Sequence, residues 1–119
     1  MRKVRTFSTP RRLEYAKHIC IIHKLYVEGW SFLHWLKRAN ITLIGIVYDG
    51  DVPVGCFIKK QDGWPNCGVF IKPEYRLKGY GKMLLSTIYR RFPDENFRTG
   101  YGIEGSRTFF DKCALTKAE

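Results

Sequence analysis

Residues Val69 to Arg90 read VFIKPEYRLKGYGKMLLSTIYR, and the fold follows from this stretch. Three apolar residues, Val69, Phe70 and Ile71, lead through Lys72-Pro73-Glu74-Tyr75 into a basic, glycine-punctuated segment, Arg76-Leu77-Lys78-Gly79-Tyr80-Gly81. A helical pattern follows, with Leu84, Leu85 and Ile88 on one side. The order is strand, turn, helix start. Gly79 and Gly81 lack a Cβ, so the backbone can bend tightly and a ligand can approach the amides. The first N–H groups of a helix have no partner within it, and the helix dipole favours an anion there. Arg76, Lys78 and Lys82 place cationic side chains around the same point, which suits phosphate.

Two familiar phosphate loops fit less well. A P-loop needs Gly-Lys-Ser/Thr, whereas Gly81 is followed by Lys82 and Met83; a dinucleotide fingerprint needs a third glycine where Leu84 stands. What remains is Arg, two residues, Gly, one residue, Gly, preceded by Ile71-Lys72-Pro73-Glu74-Tyr75-Arg76 in the form V/I-x-P-E-x-R. This pattern resembles the acyl-coenzyme A signature of the GNAT acetyltransferase superfamily.

The totals are compatible with that resemblance. A chain of 119 residues has room for one core, so residues 1–119 are expected to form one domain. Apolar residues make up 45% and aromatic residues 15%, which argues against disorder. No apolar run reaches the length of a membrane helix, and the N-terminus has no hydrophobic signal core, so a cytoplasmic protein is expected. Cys20, Cys56, Cys67 and Cys113 form no C-x-x-C pair, and His18, His23 and His34 do not stand at zinc-finger spacing from them. No metal site is expected, and the cysteines read as reduced, mostly buried thiols. The formal charge of +10 attracts phosphate-rich partners, coenzyme A and nucleic acid included.

In chain order, residues 2–7 can form a short strand β1. Ser8-Thr9-Pro10 is a helix start, and Tyr15, Ile19, Ile22 and Tyr26 recur at helical spacing to give α1 over about 11–26, with Ala16 and Cys20 beside them. Ser31 opens a second helix, α2, whose apolar face is Phe32, Trp35, Leu36 and Ala39. Residues 41–48 are rich in β-branched side chains and give β2; the turn Asp49-Gly50-Asp51 leads to β3 at 53–59, and a second turn leads to β4 at 67–71. These three strands should form an antiparallel meander. The helix after the glycine turn, α3, should end near Arg91, where Pro93 restrains Phe92. Residues 96–101 and 106–114 are expected as β5 and α4.

The resulting order, β1-α1-α2-β2-β3-β4-α3-β5-α4, is similar to the GNAT fold: α/β, with a mixed, largely antiparallel central sheet flanked by helices. The segment from Gly105 to Leu115 looks like the family's helix after β5, often ending F-Y-E-K-x-G-F. Relatives continue into a terminal hairpin beside the acceptor site, and the four residues after Leu115 are too few to make one. The resemblance therefore implies a small form with an open acceptor side, or one walled by another subunit in a homodimer.

The resemblance also implies an enzyme moving an acetyl group from acetyl-CoA, as cosubstrate and without a metal, to a primary amine by direct attack in a ternary complex. Such chemistry needs a held donor, a neutral amine, stabilisation of the oxyanion and a proton for the departing thiolate. Phe70, Ile71 and Lys72 stand where the family binds pantetheine through backbone groups. Lys78, Gly79, Tyr80, Gly81 and Lys82 would supply amides to the diphosphate, with Arg76 and Lys78 as charge partners. Trp30, His34 and Trp35 would border the acceptor pocket.

The acid–base groups are less complete. Trp64, Pro65 and Asn66 occupy the region where many relatives carry Glu, which leaves Asp62 as a nearby candidate base. Phe110 stands where many relatives use Tyr as general acid, so Tyr101, Tyr80, Cys113 or water must take that role. Acetyl transfer to a protein or other macromolecule is the first reading. A catalytically weak acetyl-CoA-binding regulator and a basic nucleic-acid-associated protein are the alternatives.

Overall fold

The computed structural model describes residues 1–26, 31–38, 40–62 and 66–95. Four antiparallel strands form one sheet in the order β1-β2-β3-β4: Arg2–Phe7, Ile41–Asp49, Val52–Lys60 and Cys67–Ile71. Helix α1 spans Pro10–Ile22, α2 spans Ser31–Arg38, and α3 spans Tyr80–Arg91. A 3-10 turn at Pro73–Tyr75 joins β4 to the glycine segment. The expected β5 and α4 lie outside the described residues.

Strand alternation divides the core into two layers. Phe7, Ile44, Ile46, Tyr48, Cys56, Ile58 and Phe70 pack on the face covered by α1 and α2. Leu43, Val47, Val54, Phe57 and Cys67 pack on the other face, against Leu84, Leu85 and Ile88 of α3. Two register shifts complete this division, one between Ile41 and Leu43 and one between Val47 and Tyr48. Each inserts an extra residue and reverses the parity of the strand beyond it. Ile41 and Leu43 consequently serve opposite layers although they are two positions apart, as do Val54 and Cys56.

The face of α1 differs from its expectation. Leu13, Ala16 and Cys20 are the buried residues, whereas Tyr15 and Ile22 are 57% and 60% exposed. Small Ala16 and Cys20 let the helix lie close to the sheet; of the bulkier stripe beside them, Ile19 and Tyr26 still pack partly against this core, while Tyr15 and Ile22 turn outward. The helix also stops at Ile22 rather than near Tyr26. Lys24 takes a left-handed backbone angle, φ 52°, which turns Leu25 into the core.

One end of the sheet gathers segments from all four strands. Arg2 pairs with Asp49, Asp49 with Val52, and Gly55 with Ile71, so the start of β1, end of β2, start of β3 and end of β4 are together. The segment leaving β4 at that end becomes the N-terminus of α3.

Candidate functional site

The turn between β4 and α3 is built from residues with special backbone requirements. Gly79 is the N-cap of α3 at φ +88°, and Leu77 is left-handed at φ 62° with its side chain fully in solvent. The N-cap makes no side-chain hydrogen bond, and the first turn of α3 carries no acidic residue. Its leading amides therefore meet a region of positive helix dipole without a capping oxygen. Gly79 and Gly81 keep Cβ atoms away from this end, while Arg76, Lys78 and Lys82 are exposed beside it. The donor set fits an oxyanion such as a diphosphate.

Arg76 does more than contribute charge. Its Nε donates to the Ile71 carbonyl at 2.8 Å, and its guanidinium carbon lies 5.6 Å from the Phe70 ring centroid. This folds the basic turn back onto the end of β4. Tyr80 is buried in the α3 layer, edge-on to Tyr75 at 5.6 Å, so its side chain braces the turn from within. Lys78 Nζ stands 6.0 Å from the Tyr75 ring.

Along β4, the strand period determines which backbone groups face outward. Lys72 N–H donates to the Val54 carbonyl at 2.9 Å, so Lys72, and by the two-residue period Phe70, direct their backbone groups toward β3. Val69 and Ile71 direct theirs to the opposite side, where β4 is the edge among the described residues. Of the three positions named from the sequence, Ile71 thus directs its amide N–H outward toward an extended ligand, while its carbonyl is taken by Arg76 Nε. The Phe70 side chain packs inward, and Lys72 is half-buried.

Beside this edge lies a groove of about 450 Å³ lined by His23, Lys24, Tyr26, Phe70, Lys72, Pro73, Glu74 and Arg76. Behind it Cys56 Sγ donates to the Leu25 carbonyl at 3.3 Å. Burial pushes the Cys56 thiol well up, and its hydrogen bond with Cys20 acts in the same direction. Neither property suits a thiolate nucleophile. The groove residues His23, Lys24, Tyr26 and Glu74 were not anticipated as site residues; their meeting depends on the exit of α1 over β4, for which no local motif exists.

Other sequence candidates are placed elsewhere. Asp62 is exposed beyond β3, at the end of the sheet where Lys59 pairs with Cys67. The four steps of β4 put that end roughly 13 Å from Ile71, so the fold does not bring Asp62 to the basic turn. Trp35 is half-buried in the α1–α2 layer with Lys60 Nζ 4.1 Å over its ring, at that same far end, and His34 is exposed. Trp30, Tyr101, Phe110 and Cys113 lie outside the described residues. Among the described residues no helix is long and apolar enough to cross a membrane, and no cluster of His, Cys, Asp and Glu could hold a metal ion.

Residues 10–111 match the model of the family described as Acetyltransferase (GNAT) family. The chain belongs to the GNAT acetyltransferase family. That membership makes it an acetyl-CoA-dependent N-acetyltransferase, with acetyl-CoA as cosubstrate. Solved structures agree in fold. A GNAT-family acetyltransferase from Streptococcus pneumoniae TIGR4 superposes with a TM-score of 0.62 at 18% identity, covering 100% of this chain and 92% of that one. The aminoglycoside N-acetyltransferase AAC(6')-Iy, in complex with a CoA-linked bisubstrate analogue, gives 0.57 at 16% identity over 95% and 89%. A GCN5-related N-acetyltransferase from Ralstonia eutropha JMP134 gives 0.55 at 12% identity over 94% and 90%. No curated protein matches the sequence.

Proposed function

We propose that this GNAT protein acetylates a primary amine carried on a protein or other macromolecule, by direct attack of the amine in a ternary complex. The observation that carries the donor half is the uncapped N-terminus of α3, with Gly79 left-handed at its cap and Arg76, Lys78 and Lys82 around it. The amides from Gly79 to Lys82 would receive the diphosphate, and the outward amide of Ile71, whose carbonyl Arg76 holds, would align the pantetheine arm. Acetyl-CoA, when bound, supplies the activated acetyl group.

Charge and shape support the acceptor class. The formal charge of +10 opposes a free polycationic amine and favours an amine embedded in acidic surroundings. The groove beside β4 shares His23 with a hollow of about 250 Å³ whose other lining includes Lys3, Arg5, Tyr15, Tyr48 and the acidic Asp51, so a long acceptor could lie across both. Within the groove, Glu74 and His23 are side chains able to accept a proton from the incoming amine.

A donor-binding protein with weak turnover is the second reading, favoured by Phe110 at the position where many relatives carry a tyrosine acid. Calorimetric titration with acetyl-CoA and with free coenzyme A tests the donor site, comparing the wild type with Gly81→Trp. Binding abolished in a folded Gly81→Trp variant is expected. Absence of binding by folded wild type at low salt would overturn the proposal. Acetyl transfer to acidic amine-bearing peptides, against a polyamine, then separates the acceptor classes and exposes weak turnover.

A further inference from the structure

We infer that Arg2, contributed by the first strand, positions the coenzyme-binding turn by fixing the orientation of the Lys78–Gly79 peptide. This role rests on the proposed donor site. Arg2 Nη1 donates to the Lys78 carbonyl at 2.6 Å, across 76 positions of sequence. Its guanidinium carbon also lies 4.1 Å above the centroid of the Tyr80 ring. Tyr80 is itself buried, so the cation stacks on a fixed surface.

The residues flanking Lys78 explain why that peptide needs fixing. Leu77 and Gly79 both occupy the left-handed region, at φ 62° and 88°. The Lys78–Gly79 plane is set by ψ of Lys78 and φ of Gly79, and glycine restricts φ least of all residues, so local preference holds the plane only weakly. A trans peptide is planar, with its C=O and N–H pointing in opposite directions. Drawing the Lys78 oxygen toward Arg2 therefore turns the Gly79 N–H to the opposite side. Gly79 supplies the first amide of the anion-binding set, so its direction is established before a ligand arrives. Preorganisation of this kind raises affinity by reducing what binding must order.

Arg2 has a firm base for this role. The Gly50 amide donates to the Met1 carbonyl at 2.7 Å, Arg2 is in register with Asp49, and neighbouring Lys3 pairs with Asp51 at 3.8 Å. A Cβ on Gly79 would stand 3.2 Å from Arg2 Nη1, so the glycine also makes room for the contact.

The test compares wild type, Arg2→Ala and Arg2→Lys in full-length protein, using calorimetry with coenzyme A and dephospho-coenzyme A and the amide NMR signals of the unliganded chain. Arg2→Ala should weaken both ligands by about tenfold, the size of one charge-assisted hydrogen bond, because both contain the diphosphate. The Gly79 amide signal should shift and broaden while those of Val4 and Phe7 stay in place. Arg2→Lys, retaining a charged donor, should recover part of the affinity. Unchanged binding by Arg2→Ala, an unchanged Gly79 signal, or a loss confined to coenzyme A would each overturn the inference; the last would make Arg2 a reader of the 3′-phosphate. Failure of wild type to bind either ligand would instead remove the donor site, and this role with it.

Discussion

Gly45 in β2 lies directly beneath Ile88 of α3: a Cβ built on the glycine would be 2.6 Å from Ile88 Cδ1 and 3.1 Å from Leu84 Cδ1. The absence of one methyl group thus lets the helix settle onto the sheet. Because the proposed coenzyme turn is the N-terminus of that helix, this contact links core packing to the candidate site. Gly45→Ala is expected to destabilise the fold by about 1–3 kcal/mol, since Ile88 is fully buried and must be displaced. Urea denaturation measures the loss. Coenzyme affinity should fall as well, and an unchanged affinity would show that the helix start does not follow its middle.

Two glycines separate backbone strain from ligand binding. Gly50 at φ +62° has nothing within 4 Å of an added Cβ, whereas Gly79 at φ +88° faces Arg2. Alanine at either position should cost about 1–2 kcal/mol for entering the left-handed region. Coenzyme binding should weaken only in Gly79→Ala. Paired denaturation and titration of the two variants would reveal this difference, and equal effects on affinity would argue against the turn.

Alkaline pH should weaken the fold through its buried thiols. Burial pushes Cys67 up to about 12, with Lys59 opposing the rise, and pushes Cys56 well up as well. An unfolded thiol titrates near about 8.5. The contribution is therefore complete below about pH 8.5 and is lost as pH rises toward the folded value, because only the unfolded chain releases the proton in that window. Tyr48, raised by burial against the influence of Arg5, acts in the same direction. Urea midpoints measured from pH 7 to 10.5 should decline, and the slope should be shallower in Cys67→Ala.

Lys59 is buried within the sheet, with its Nζ 3.3 Å from Glu95 and 3.5 Å from Thr42 Oγ1. Glu95 is 43% exposed, so solvent screens much of the attraction. Glu95→Gln should lower stability by about 1 kcal/mol, chiefly because the ammonium loses its counter-charge. Replacing both residues, Lys59→Met with Glu95→Gln, should restore part of the loss. A double-mutant cycle in urea checks the coupling.

The sheet was largely legible because its signals are local. β-Branched alternation at 41–48, turn residues at 49–51 and the apolar stretch before Lys72 required no knowledge of partners, and the observed bounds differ from expectation by a residue or so. The face of α1 was not legible, because Tyr15, Ile19 and Ile22 form as regular a helical stripe as Leu13, Ala16 and Cys20. Choosing between stripes depends on how closely the helix approaches the sheet. The two register shifts were equally hidden, since a bulge is defined by the opposing strand.

For the site, the amino-acid sequence by itself determined the glycine spacing, the cations around it and the strand–turn–helix order, because anion binding at a helix start uses neighbouring backbone groups. Tertiary structure alone decided that Ile71 rather than Lys72 directs its backbone outward, that His23 and Glu74 line one groove, and that Asp62 stands at the other end of the sheet. It also brought Arg2 to Lys78. These relationships arise where strands far apart in sequence share one edge of a sheet, and pairing register, which no local segment contains, sets which residues meet there.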